Sequence, residues 1–231
     1  MGNQRFTVIG VGKFGRAIAR KLSEKGAEVV AVDMDESNID KLQEEVAYTI
    51  CLDATDKKAL ISQNIAASEA VVLAIGENFE ALILCAVYLQ ELNVKRLIAR
   101  ANGSQQKQIL EKIGVTEILS PEDEVGTVVA ERLLNPSVIS VLQLPDDYEI
   151  AEIKAPKGVI NRTLEDINLR DKYDLNLVTI EREFQNDKKG EIVTDQHIIG
   201  IPRPDTKLME FDTIVVFGTT KDINRFIEIN S

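Results

Sequence analysis

Phe6-Thr7-Val8-Ile9-Gly10-Val11-Gly12-Lys13-Phe14-Gly15, followed by the apolar run Val29-Val30-Ala31-Val32 and then Asp33, decides how this 231-residue chain is read. A buried strand must end at Ile9. Gly10 permits the tight turn off it, Gly12 removes the side chain where a pyrophosphate has to approach, and Gly15 lets the next helix pack closely on the sheet. The start of that helix then offers free N–H groups and a positive dipole end to phosphates. Asp33 lies 18 positions beyond Gly15. A carboxylate there can accept hydrogen bonds from both ribose hydroxyls of an adenosine, with Met34 beside it. Strand, turn, helix, second strand and acid follow in the order that a nucleotide site requires.

Working outward, short β-branched runs alternate with helical periods as far as residue 134. The strand candidates are 6–9, 29–32, 47–52, 70–75, 96–99 and 117–119, and the helices are expected near 14–25, 36–45, 56–63, 78–92, 104–113 and 122–134. Phe79, Leu82, Ile83, Ala86 and Leu89 mark one face of the fourth helix. Asp35 or Asp56 can cap helix starts, and Gly26 and Gly114 fall where helices should stop. Six strands separated by helices imply an α/β fold with a doubly wound parallel sheet and its ligand at the carboxyl ends of the strands. The alternation ends at Asn135-Pro136. Residues 1–136 are therefore read as the first domain, 137–146 as a linker and 147–231 as a small α+β domain. In the last, extended runs are expected at 149–154, 176–181 and 213–217, turns around 187–190 and a final helix at 221–228.

The balance of charge is −11, which argues against a surface that holds nucleic acid and makes divalent cations more plausible partners. No stretch approaches the roughly 20 apolar residues of a membrane span. The start Met1-Gly2-Asn3-Gln4-Arg5 lacks the apolar core of a secretory signal, so a soluble cytoplasmic protein is expected unless a partner subunit holds it at a membrane. Cys51 and Cys85 lie in apolar contexts and are expected to be buried, reduced thiols.

Chemistry beyond binding finds little support in the residues. The lone His197 sits beside Ile198 and Ile199, where exposure or packing is the simpler role. No Tyr-x-x-x-Lys pair, Cys-His pairing or zinc-ligand spacing occurs, which favours a sensor over a catalyst. Asp53-Ala54-Thr55 can face adenine and ribose, or cap a helix through Thr55 or Asp56. Ala74-Ile75-Gly76 brings bare backbone to the point where the strand order reverses. Asn78 can cap the next helix or meet a phosphate. Lys13 and Arg100 are either phosphate-binding cations or surface charges. Glu122-Asp123-Glu124 suits a helix start on dipole grounds alone, whereas a metal role needs further oxygen ligands.

Over nearly the whole chain these residues resemble the regulator-of-potassium-conductance proteins. The likeness is carried by Val8 to Gly15, Ala31-Val32-Asp33, Asp53 to Asp56, Ala74 to Asn78, Ile98 to Asn102, Leu110 to Gly114 and Ser120-Pro121-Glu122. In the second domain it continues in Leu169 to Tyr173, Ile201 to Thr206 and Asp212 to Gly218. In particular they are similar to the cytosolic gating subunits of Ktr/Trk-type bacterial potassium uptake systems. The resemblance implies a Rossmann-like first domain, a crossover helix exchanged within a homodimer, a small second domain and a ring, commonly a homo-octamer, beneath a membrane-embedded potassium channel subunit. It implies a site for ATP or ADP, with NAD(H) in some members, and Lys13 near the terminal phosphate. Glu122 would bind Ca²⁺ or Mg²⁺ at the dimer interface. Arg170, Asn176 and Pro202 would belong to a cyclic di-AMP pocket, although Asp174 stands where relatives often have Gly. The alternatives are an NAD(P)-dependent oxidoreductase, on the strength of the glycine turn and Asp33, and a free-standing nucleotide-binding adaptor.

Overall fold

The computed structural model describes residues 4–188 and 191–231. The outermost start of the chain and the Lys189-Gly190 part of the expected turn lie outside the described residues. Contacts divide the chain into two compact units, Met1–Glu124 and Val125–Ser231.

The first unit is a parallel sheet in the order β3-β2-β1-β4-β5-β6. Its strands are β1 (Arg5–Ile9), β2 (Glu28–Asp33), β3 (Tyr48–Cys51), β4 (Ala70–Leu73), β5 (Leu97–Arg100) and β6 (Glu117–Leu119). The helices are α1 (Lys13–Glu24), α2 (Glu36–Asp40), α3 (Lys57–Ser62), α4 (Phe79–Glu91) and α5 (Ser104–Ile113); α6 (Pro121–Leu134) starts in this unit, and from Val125 on its residues belong to the second. Both faces of the central strands are buried, which is why they read as continuous apolar runs. Ile9, Val30, Val32, Val71 and Leu73 pack with Leu82, Cys85 and Leu89. Their neighbours Val8, Val29, Ala31 and Val72 turn the other way, onto Ala19, Ile39 and Leu42. The order reverses between β1 and β4, and the chain leaving β1 opens a cleft at that place.

Helix α2 is shorter than the periodicity suggested. After Asp40 the backbone tightens into turns, with the Leu42 N–H donating to Ile39 and that of Glu45 to Leu42. The thiols also differ from expectation. Cys85 is fully buried and burial pushes its pKa up to about 12, but Cys51 is exposed, because it ends the edge strand β3, whose outer side no other strand covers.

The second unit is an antiparallel sheet in the order β10-β9-β11-β8-β7, formed by β7 (Val138–Gln143), β8 (Tyr148–Lys154), β9 (Asn176–Lys188), β10 (Glu191–Ile198) and β11 (Thr213–Thr219). Short helices α7 (Leu164–Ile167) and α8 (Leu169–Tyr173) precede β9, and α9 (Thr220–Asn230) closes the chain. Ile153, Ile180, Ile214, Val216, Ile223 and Phe226 form its core. Residues 137–146, expected to be a linker, instead contain β7, which pairs with β8 from Val138↔Ile153 to Gln143↔Glu149. Asn135-Pro136 and Pro145 bracket this run and disguise a genuine strand as a connection. Asp212, only 2% exposed, is answered by Arg182 through two 2.7 Å bonds and by the Met209 N–H at 2.8 Å, so its burial leaves no unpaired charge.

Candidate functional site

The glycine turn owes its shape to two close approaches. Gly10 has φ +86°, and a Cβ there would lie 2.9 Å from the Ala74 carbonyl carbon. A Cβ on Gly15 would come within 2.0 Å of the Gly10 carbonyl oxygen. At Gly12 a Cβ would meet nothing within 4 Å, so packing within the chain leaves the space beside it open. Gly12 also occupies the cap position of α1 with no side-chain hydrogen bond. The first N–H groups of α1 are thus left to a ligand or to water, whereas α2, α3 and α4 are capped by Asp35, Asp56 and Asn78.

In front of the turn lies a cleft of about 80 Å³ lined by Ile9, Gly10, Asp33, Met34, Leu52, Asp53, Ala54, Thr55, Ile75, Asn78 and Ala81. Asp33 Oδ2 accepts the Val11 N–H at 2.7 Å and Oδ1 accepts the Asp35 N–H at 2.9 Å, so the carboxylate is oriented before any ligand arrives. Asp53 Oδ1 accepts the Thr55 N–H at 2.9 Å and its hydroxyl at 2.7 Å. Those two donors, the backbone one foremost, hold the Asp53 carboxyl below its ordinary range. Asp56, not Thr55, caps α3, and Asn78 Oδ1 accepts the Ala81 N–H at 3.0 Å.

Gly10, Asp33, Met34, Asp53, Ala54, Thr55, Ile75 and Asn78 therefore meet in one cleft. Val11, Gly15 and Ala74 are buried beneath it, and Lys13 is exposed at the turn. Ile9, Leu52 and Ala81 complete the apolar wall. They were not singled out beforehand, although Ile9 and Leu52 border strand ends and Ala81 lies one turn beyond Asn78.

A second cluster sits at the rim. The Arg100 guanidinium lies over the Phe14 ring at 5.1 Å, and a Cβ on Gly76 would come within 3.2 Å of Arg100 Nη1. Arg100 Nη2 donates to Glu122. Glu122 is held below the ordinary carboxylate range first by its own backbone N–H at the start of α6, then by Arg100. Among the described residues no group of three or more His, Cys, Asp or Glu side chains forms a metal cluster.

In the second unit, Arg170 Nε and Nη2 donate to Asn176 Oδ1 at 2.9 and 2.5 Å, which joins the two residues that the resemblance had paired. Pro202 lies in the β10–β11 connection, and among the described residues no hydrogen bond ties it to that pair. Asp174 adopts φ 57° at the end of α8, a left-handed conformation that Asp tolerates better than most residues. His197 is exposed, with its ring tilted against Phe184 at 5.6 Å.

The TrkA-N domain family matches residues 6–121 and the TrkA-C domain family residues 148–231. The chain belongs to the regulator-of-potassium-conductance family. A Ktr system potassium uptake protein A of Bacillus subtilis (strain 168) is 32% identical over 224 residues, covering 97% of this chain and 96% of the relative. Among solved structures, the GsuK channel bound to NAD aligns with 99% of this chain at TM-score 0.63 and 17% identity, covering 39% of the channel chain. The GsuK structure bound to ADP aligns with 56% of this chain at TM-score 0.50 and 15% identity, covering 34% of that chain. This chain thus spans about two-fifths or less of those channel chains. At such identities the likeness is one of fold.

The Asp53 geometry has a measurable consequence. Thr55→Ala removes the hydroxyl donor and keeps the backbone one, so the Asp53 pKa should rise part of the way to its ordinary value in a carboxyl NMR titration. Because the folded-state pKa is depressed, the associated stabilisation is present above the unfolded value near 4 and fades as pH falls through the folded one. An unchanged Asp53 titration would show that the hydroxyl contributes nothing.

Proposed function

We propose that this chain is the cytosolic regulatory subunit of a potassium uptake system, in which an adenine nucleotide held in the first unit gates a membrane-embedded channel subunit. The observation that carries this reading is the likeness to the Ktr system protein over 97% of this chain and 96% of that one, which spans both units in order. The nucleotide part draws on the cleft itself and on the NAD and ADP of the GsuK structures.

The residues fit an adenine nucleotide. Gly12 leaves room for a pyrophosphate, the uncapped N–H groups of α1 face it, and Asp33 is oriented for ribose hydroxyls. Met34, Ala54 and Ile75 offer apolar contact to a base, and Lys13 and Arg100 supply positive charge for phosphates. ATP, ADP or NAD(H) differ here chiefly in where their outer charge falls. A ligand can shift the shape of an assembly only through its differential affinity for two shapes, typically about 1–3 kcal/mol of coupling. The assembly in this reading is a homodimer built through α6 and repeated into a homo-octameric ring. Val125, Val128 and Val129, exposed at helical spacing on α6, give that dimer an apolar surface to bury. Among the described residues no helix is long and apolar enough to cross a membrane, which fits a cytoplasmic subunit held peripherally by its channel partner. Regulation rather than catalysis is the function proposed. Cyclic di-AMP at Arg170, Asn176 and Pro202 stays part of the reading through family likeness alone.

Calorimetry with ADP, ATP and NADH checks the site. Gly12→Val puts a branched side chain in the phosphate path, and Asp33→Ala removes a charged acceptor worth roughly 1.5–3 kcal/mol, about 10- to 150-fold in affinity. Wild-type affinity in both variants would sink the assignment. The function itself is tested by purification with a membrane potassium-channel subunit and by nucleotide-dependent potassium flux of the reconstituted pair, which Asp33→Ala should shift to about 10- to 150-fold higher nucleotide concentration. Flux indifferent to nucleotide overturns the gating role.

A divalent cation between Glu122 carboxylates of paired subunits is also proposed, since two such groups brought together repel without one. Glu122→Gln should then lose the calcium- or magnesium-dependent rise in melting temperature at constant nucleotide. Retention of the full rise rejects the metal role.

A further inference from the structure

We propose that Glu122 is an internal stand-in for ligand phosphate at Arg100, so that the phosphates of a bound nucleotide and the Glu122 carboxylate compete for one guanidinium. The inference rests on the nucleotide reading above and adds a regulatory contact to it. Arg100 ends β5 beside the first turn of α1, the place where phosphates meet the free N–H groups of the glycine turn. Its guanidinium is held in a slot. Phe14 covers one face at 5.1 Å, and Gly76 supplies a wall with no side chain, where a Cβ would stand 3.2 Å from Nη1. Arg100 Nε is buried and has no hydrogen-bond partner, so the cation carries an unused donor. Nη2 is spent on Glu122.

The two partners are unequally placed, and this asymmetry decides which one yields. The Arg100 side chain is 21% exposed and Glu122 is 55% exposed. A cation confined by an aromatic ring and a backbone wall stays where it is, whereas a carboxylate on the solvent side leaves at little cost. A phosphate carries more charge than a carboxylate and offers several acceptor oxygens, enough to engage Nη2 and the idle Nε together. Its arrival displaces Glu122 and frees the first turn of α6. In the ligand-free chain the Arg100–Glu122 pair therefore lowers affinity for phosphate-bearing ligands. The cation bridge proposed above gives Glu122 the opposite effect, so work without divalent cations separates the two.

Full-length protein is titrated with ADP and with adenosine by calorimetry in EDTA. Glu122→Gln should bind ADP about two- to fivefold more tightly than wild type, the range expected for removing a solvent-exposed ion-pair partner. Adenosine affinity should not change. On an Arg100→Gln background the gain for ADP should vanish. Equal or weaker ADP binding by Glu122→Gln, the same gain with adenosine, or a gain that survives Arg100→Gln overturns the competition and leaves the nucleotide site standing. Wild-type protein that binds no ADP overturns both.

Discussion

The approach of α1 to the turn after β1 sets the conditions for everything else in the first unit. Gly15 lies so close to the Gly10 carbonyl that a Cβ between them would stand at 2.0 Å, far inside any real contact. That proximity brings the start of α1 hard against the ends of β1 and β4, with no side chain capping it. It also aims the Val11 N–H at Asp33, which ties the glycine turn to the end of β2 through one 2.7 Å charge-assisted bond. Turn, helix start and carboxylate are one mechanical unit, because moving any of them breaks the contact that holds the other two.

The glycine turn, the cap residues and the succession of six strands along the chain were legible in the residues, since local turn chemistry and runs buried on two faces leave strong patterns. The second unit was harder for stated reasons. Val138–Gln143 lies between Pro136 and Pro145 and looks like a bridge, but β8 supplies it with a ladder. Glu191–Ile198 pairs only with β9 at the sheet edge, so polarity along it need not alternate cleanly. Cys51 reads as apolar from Ile50 and Leu52, yet edge position leaves it exposed. The Arg100–Glu122 pair spans 22 residues and depends on how α6 starts beside β5 and β6, which no local pattern records.

Electrostatics gives the cleft its sense of direction. Asp33 and Asp53 place negative charge on the wall of the cleft, while the cations Lys13 and Arg100 are held at the turn and rim. A net charge of −11 makes these two positive groups more discriminating, because an anionic ligand meets an unfavourable field elsewhere on the surface. The field therefore selects for orientation as much as for affinity.

The carboxylates of the cleft and Asn78 Oδ1 already accept backbone N–H groups. Asp33 holds the N–H groups of Val11 and Asp35, Asp53 holds Thr55, and Asn78 holds Ala81. A general acid or base must be free to exchange a proton with a substrate at hydrogen-bond distance. Groups fixed in this way confer shape and charge on the cleft and need little reorganisation when a ligand arrives.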